Sequence, residues 1–149
     1  MPAHATAPSP DDRRRLSLLR ADALMPLLTS LGLVSLALGG LSGWLVLAAT
    51  QQPAWFHQRG IAAPRRFLSL HLDWVMMGLI LVAVDLVVPD RPSGLTAALA
   101  FGLIVNPLLF IPLAWGPEAT KNLGYRALTL ASFTATSGGL TALAVYALV

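Results

Sequence analysis

Cysteine is absent from the 149 residues, which excludes disulfide frameworks, thiolate catalysis, iron–sulfur clusters and cysteine zinc sites. Metal chemistry, if the chain performs any, falls to three histidines: His4, His57 and His71. Charge is nearly as sparse. Asp, Glu, Lys and Arg make up 11% of the chain, against roughly a quarter in a soluble domain, too few to cover a water-exposed surface. What fills the space is apolar: 56% of residues are hydrophobic and the mean hydropathy is +0.69, a membrane composition. The formal net charge is +3, but the bases sit in short clusters outside the apolar runs, as flanks of membrane spans do. No nucleic-acid partner is expected.

The apolar runs number four, and the fold class they predict is an all-α, integral membrane four-helix bundle. Residues 1–22 hold three prolines and the run Asp11-Asp12-Arg13-Arg14-Arg15, and read as a disordered tail. The twin arginines do not make an export signal, because the following run is too long for one and lacks a small-x-small cleavage site. Residues 23–149 form the transmembrane domain, with spans predicted at about 24–49, 67–88, 93–115 and 124–148. About 20 apolar residues cross a bilayer core, and each run is bounded by charged or proline-containing segments. The first span carries Ser35, Gly39 and Gly43 at four-residue spacing, a small-residue stripe that allows close helix approach and self-association. The third contains Asn106, Pro107 and Pro112, whose missing amides predict a bend and freed carbonyls. The fourth is rich in Ser, Thr and Gly, with most hydroxyls expected to bond back to the helix. Basic residues are balanced between the two sides. The dense arginine cluster ahead of the first span favours both termini cytoplasmic, in a bacterial-type cytoplasmic membrane.

Of the four spans only the second carries acidic residues or histidine. At about 100° per residue, His71, Trp74, Val75, Gly78, Val82 and Asp85 share one face, while Asp73 points roughly opposite. His71 therefore cannot pair with Asp73 in the same helix. Ionisable groups at membrane depth face the bundle and are functional candidates by default, and each also has a structural reading. Asp73 lies near the helix start, where a carboxylate is favoured by exposed amides. Asp85 is within a turn of Pro89 and can reach the headgroups or Arg91. His71 can bond a neighbouring helix, or act as a ligand through a ring nitrogen. A lone membrane histidine suits haem, whose flat ring needs a slot between helices, and Gly78, two turns along, would leave one. Met76 and Met77 point away from this face. A single axial ligand leaves iron five-coordinate and open, which suits Lewis-acid chemistry or gas binding better than electron transfer.

The stretch from His71 through Gly78 to Pro89 resembles the second span of the styrene oxide isomerases and the related hydroxylaminobenzene mutases. Leu38-Gly39-Gly40-Leu41-Ser42-Gly43 is similar to the glycine-rich first span of that group, and Asn106 resembles an asparagine of its third. These are small four-span membrane proteins, and length and span order agree over most of this chain. The resemblance implies a trimer, haem b ligated by His71, and an epoxide opened at ferric iron with a hydride shift to give an aldehyde. It also implies that Asn106 lines the pocket as a catalytic residue. Two departures stand out. The isomerases have asparagine directly before the motif glycine, where this chain has Met77, and tyrosine four residues after the third-span asparagine, where this chain has Phe110. Loss of two polar groups facing the substrate implies a different substrate or none.

The leading expectation is thus a redox-neutral isomerase or mutase acting on a small lipophilic substrate drawn from the lipid bilayer. His71 is its metal ligand, Gly78 part of its cofactor slot and Asn106 its catalytic residue. The alternatives are a non-enzymatic four-span protein, as an oligomeric subunit, haem carrier or sensor, and a proton-coupled carrier using Asp73 and Asp85. The last lacks the internal repeat that alternating access usually rests on.

Overall fold

The computed structural model describes residues 9–149, with side chains described at Ser9, at Asp11 and from Leu27 onward. Every regular element among them is helical: α1 Pro10–Gln51, α2 Pro53–Gln58, α3 Arg66–Val87, α4 Ser93–Leu108, α5 Phe110–Trp115, a 3₁₀ turn Pro117–Lys121, and α6 Leu123–Leu148. Four stretches are long and apolar enough to cross a membrane: Leu27–Gln51, Arg66–Val87, Ser93–Trp115 and Leu123–Leu148. They fall within a few residues of the spans expected from sequence, and they are compatible with an integral membrane protein.

One boundary differs. Residues 10–22, read above as part of a disordered tail, are the opening turns of α1, whose 42 residues extend for about 63 Å at ~1.5 Å each. Ser9-Pro10-Asp11-Asp12 explains the start, because proline is tolerated at the first helical position and acids in the first turn oppose the helix dipole. The rest of that tail, residues 1–8, lies outside the described residues.

The helices pair through glycine. Gly32 of α1 faces Gly78 of α3 so closely that a Cβ at position 32 would lie 2.8 Å from the Gly78 carbonyl oxygen. A Cβ at position 78 would lie 2.9 Å from the Gly32 oxygen and 3.1 Å from the Leu36 nitrogen. Both contacts are with backbone, which cannot yield. A turn further, a Cβ on Gly39 would meet Val75 Cγ2 at 2.7 Å, and Ser35, fully buried, returns its hydroxyl to the Leu31 carbonyl at 2.8 Å. The Ser35–Gly39 part of the small-residue stripe is therefore spent inside the chain, against α3. Gly43, where a Cβ would meet only the His71 ring, is the part of the stripe outside that contact.

The second pair, α4 and α6, uses the same device. A Cβ on Gly102 would lie 2.7 Å from the Thr136 nitrogen, and one on Gly139 2.9 Å from Leu99 Cδ2. Ser132 donates across the contact to the Gly102 carbonyl at 3.0 Å. Between the pairs, Leu28, Leu81, Val84, Leu99, Leu103 and Leu143 form one apolar cluster. A second, of Phe56, Ile61, Phe67, Leu70, Trp74 and Ala114, closes the loop end of the bundle. There the chain turns at Gly60, with φ +77°, and Ala63 donates to the Ala114 carbonyl at 2.9 Å, pinning the α2–α3 loop to α5.

The prolines bend the third span as expected. Pro107 sits buried inside α4, and the helix breaks at Leu109 before resuming as α5. Tyr125 of α6 donates its hydroxyl to the Leu109 carbonyl at 3.0 Å, satisfying backbone at the break. α6 itself starts at Asn122, whose side chain accepts from the Tyr125 amide at 3.2 Å as an N-cap.

A methyl group at the α1–α3 contact should be felt directly. Gly78→Ala is expected to lower unfolding stability in detergent by about 1–3 kcal/mol through overpacking. Gly40→Ala should be neutral or slightly stabilising, since a Cβ there meets nothing within 4 Å and alanine is the better helix former. Equal stability of the two variants would contradict the contact.

Candidate functional site

His71 lies on the flank of α3 that faces α1, half-buried. Its Nδ1 is 2.8 Å from the Gly39 carbonyl oxygen and 3.3 Å from Ser42 Oγ, and Ser42 donates to the same carbonyl at 2.8 Å. A carbonyl can only accept, so Nδ1 carries the proton, and in the neutral ring Nε2 holds the lone pair. This is the orientation seen in metal-bound histidines, whose second nitrogen donates to a carbonyl or carboxylate. Nε2 has no hydrogen-bond partner, yet Thr136 Oγ1 is the single buried side-chain polar atom without one among the described residues. Nε2 is therefore open to the surroundings of the helix pair. Gly43 borders the ring, since a Cβ there would meet only His71 Cε1 at 3.5 Å and Nδ1 at 3.8 Å.

Sequence reasoning placed a cofactor slot at Gly78. The structure fills that space with α1: Gly32, Leu36 and their backbone lie against Gly78. The glycine serves helix contact, and the open surface near His71 is at Gly43 instead. The helical wheel located both residues on one face correctly but could not say which neighbour occupied it.

Asp73 and Asn106 meet on the other flank. Asn106 Nδ2 donates to Asp73 Oδ2 at 3.1 Å, tying α4 to α3 immediately before Pro107. Asp73, read from sequence as a helix-start carboxylate, is thus engaged by a neighbouring helix. Asn106 is 8% exposed. Phe67, Leu70 and Trp74, all buried, occupy the inward face of α3 between the two flanks. Within one chain the structure brings Asn106 to Asp73, and does not bring it to His71. Met77 packs against the cluster built on Leu81 and Leu99, and Phe110 against that built on Trp74 and Ala114.

Asp85 behaves as its proximity to Arg91 suggested. The two form an ion pair with side chains 5% and 2% exposed. Arg91 folds back over the α3 terminus, donating to Thr96 Oγ1 at 3.1 Å and to the Val88 carbonyl at 2.9 Å. Asp85 also accepts from the backbone and hydroxyl of Thr29 in α1. Arg91 is only 6% exposed, and with Asp85 it forms a buried strut joining α1, α3 and α4. Both carboxylate oxygens of Asp85 are thus engaged in holding helices together.

Among the described residues no group of three His, Cys, Asp or Glu side chains could hold a metal ion. A metal at His71 must bring its other ligands with it. No family model, curated protein or solved structure matches the chain.

Breaking the buried pair should be costly. Asp85→Asn leaves Arg91 buried without its counter-charge and is expected to cost about 3–5 kcal/mol, whereas the double variant Asp85→Asn/Arg91→Met should recover much of the loss. Chemical unfolding of the purified variants reads both. Wild-type stability in Asp85→Asn would contradict the strut.

Proposed function

We propose that the chain is a membrane-embedded haem protein that catalyses a redox-neutral rearrangement of a small lipophilic molecule, of the epoxide or arylhydroxylamine kind, with His71 as axial ligand. The observation that carries this reading is the Nδ1–H···O=C bond from His71 to Gly39, which fixes the ring and leaves Nε2 as an accessible lone-pair nitrogen. A porphyrin supplies the remaining metal ligands, consistent with a lone histidine. Haem b, if held through His71, would supply Lewis-acid chemistry toward a substrate oxygen. The chain's own part is to orient the ring, through Gly39 and Ser42, with Gly43 beside it.

The resemblance to the isomerases also supports a trimer and Asn106 as a substrate-facing group, and the arginine cluster ahead of the first span supports both termini on the cytoplasmic side. Asn106 and His71 occupy opposite flanks of α3, so in this reading Asn106 can serve a substrate at His71 only across a contact between copies. The replacement of two polar positions by Met77 and Phe110 leaves few donors to orient an epoxide oxygen. Turnover of styrene oxide is therefore expected to be slow or absent even with haem bound. The engagement of Asn106 by Asp73 favours a second reading, in which the same histidine holds haem in a carrier or sensor without catalysis.

Absorption spectroscopy of protein purified after expression with ample haem tests the ligand. The wild type and His57→Ala should show a Soret band and His71→Ala should not. Haem retained by His71→Ala would overturn the ligand assignment, and haem-free wild type would overturn the whole reading. Haem without conversion of any epoxide or hydroxylamine would select the carrier or sensor.

A further inference from the structure

The outer face of α6 carries a shallow groove of about 420 Å³, lined by Thr120, Tyr125, Arg126, Thr129, Leu130 and Phe133. Its hydroxyls are already committed as donors within the chain. Tyr125 donates to the Leu109 carbonyl, Thr120 to Pro117 at 2.6 Å and Thr129 to the Tyr125 carbonyl at 2.8 Å. Arg126 is the one lining side chain with uncommitted donors, since the neighbouring ion pair, at 2.8 Å, is made by Lys121 with Glu118. The occupant must therefore present acceptors, and preferably negative charge, at Arg126.

Further along α6 the lining turns apolar. Leu130, 70% exposed, lies one turn from Arg126, and Phe133, 55% exposed, lies about 10 Å along the helix at ~1.5 Å per residue. Arg126 stands near the start of this span and the two apolar residues deeper in it. Charge at headgroup depth above an apolar track at acyl depth is the pattern of a phospholipid. The same end of the bundle holds Arg59, Arg65, Arg66, Lys121 and Arg126 against a single acid, Glu118, so its field attracts anionic headgroups.

We infer that this groove is a binding site for one anionic phospholipid, its phosphate on Arg126 and an acyl chain along Leu130 and Phe133. The site is independent of His71 and stands or falls without haem. Native mass spectrometry of the full chain, released from mixed phosphatidylglycerol and phosphatidylcholine of identical acyl chains, tests it. One basic contact at a membrane surface corresponds to about a fivefold preference, so the wild type should retain phosphatidylglycerol about fivefold over phosphatidylcholine. Arg126→Gln should abolish that preference, and Lys121→Gln, neutralising a base already paired at the surface, should keep it. Equal retention of the two lipids by the wild type, or an undiminished preference in Arg126→Gln, overturns the proposal. So does an equal loss in Lys121→Gln, which would show a diffuse surface field. Because the chain lacks cysteine, Phe133→Cys reports the competing occupant: disulfide-linked pairs in membranes would place a second copy on this face and overturn the lipid site.

Discussion

The backbone contact between Gly32 and Gly78 sets the position of nearly everything else. With no Cβ on either side, α1 and α3 approach until carbonyl oxygens stand where side-chain carbons would be. In a membrane, where lipid competes equally for apolar side chains, such close backbone packing is a main source of helix association. The consequence reaches two turns away. Because α1 lies so close, the Gly39 carbonyl is within hydrogen-bonding distance of His71, and at the opposite end Thr29 reaches Asp85. A wider helix separation would break both bonds at once. The small residues of the first span are therefore the means by which a histidine on the second span acquires a fixed tautomer.

Three polar groups in α3 meet three different partners. His71 is oriented by a backbone carbonyl, Asp73 by the amide of Asn106, and Asp85 by an arginine that returns from the following loop. Burying a charged or polar group without compensation is expensive in a medium without water, and each partner meets that cost differently. The Asp85–Arg91 pair is closed, with both groups surrounded by further hydrogen bonds, and it joins three helices. The Asp73–Asn106 pair sits beside Pro107, where α4 departs from regular helix. The His71 ring keeps Nε2 free of a hydrogen bond, as Asp73 keeps Oδ1, and the proposed chemistry is placed on the ring.

Much of this was legible in the sequence because bilayer thickness fixes span length and because prolines and charges punctuate apolar runs. The spans, the break near Pro107 and the Asp85–Arg91 proximity follow from local spacing alone. What was misread depends on which face a neighbour covers. Gly78 as an open slot is a sound reading of a small residue on a helix face, but α1 fills that space with Gly32 and Leu36. Asn106 bonding Asp73 joins residues 33 positions apart, a pairing no single-helix periodicity reveals. The start of α1 was present in Ser9-Pro10-Asp11-Asp12 but outweighed by the surrounding charge and proline content.

The central claim is that α1 fixes the His71 ring by taking its Nδ1 proton into a bond with Gly39, the orientation that the proposed ligand role requires. Nitrogen-15 spectroscopy of ring-labelled histidine, in protein produced without added cofactor and carrying His4→Gln and His57→Gln, isolates the one remaining imidazole. The expected spectrum shows a protonated Nδ1 coupled to a hydrogen bond and an unprotonated Nε2. A neutral ring protonated at Nε2, with the lone pair at Nδ1, would contradict the account.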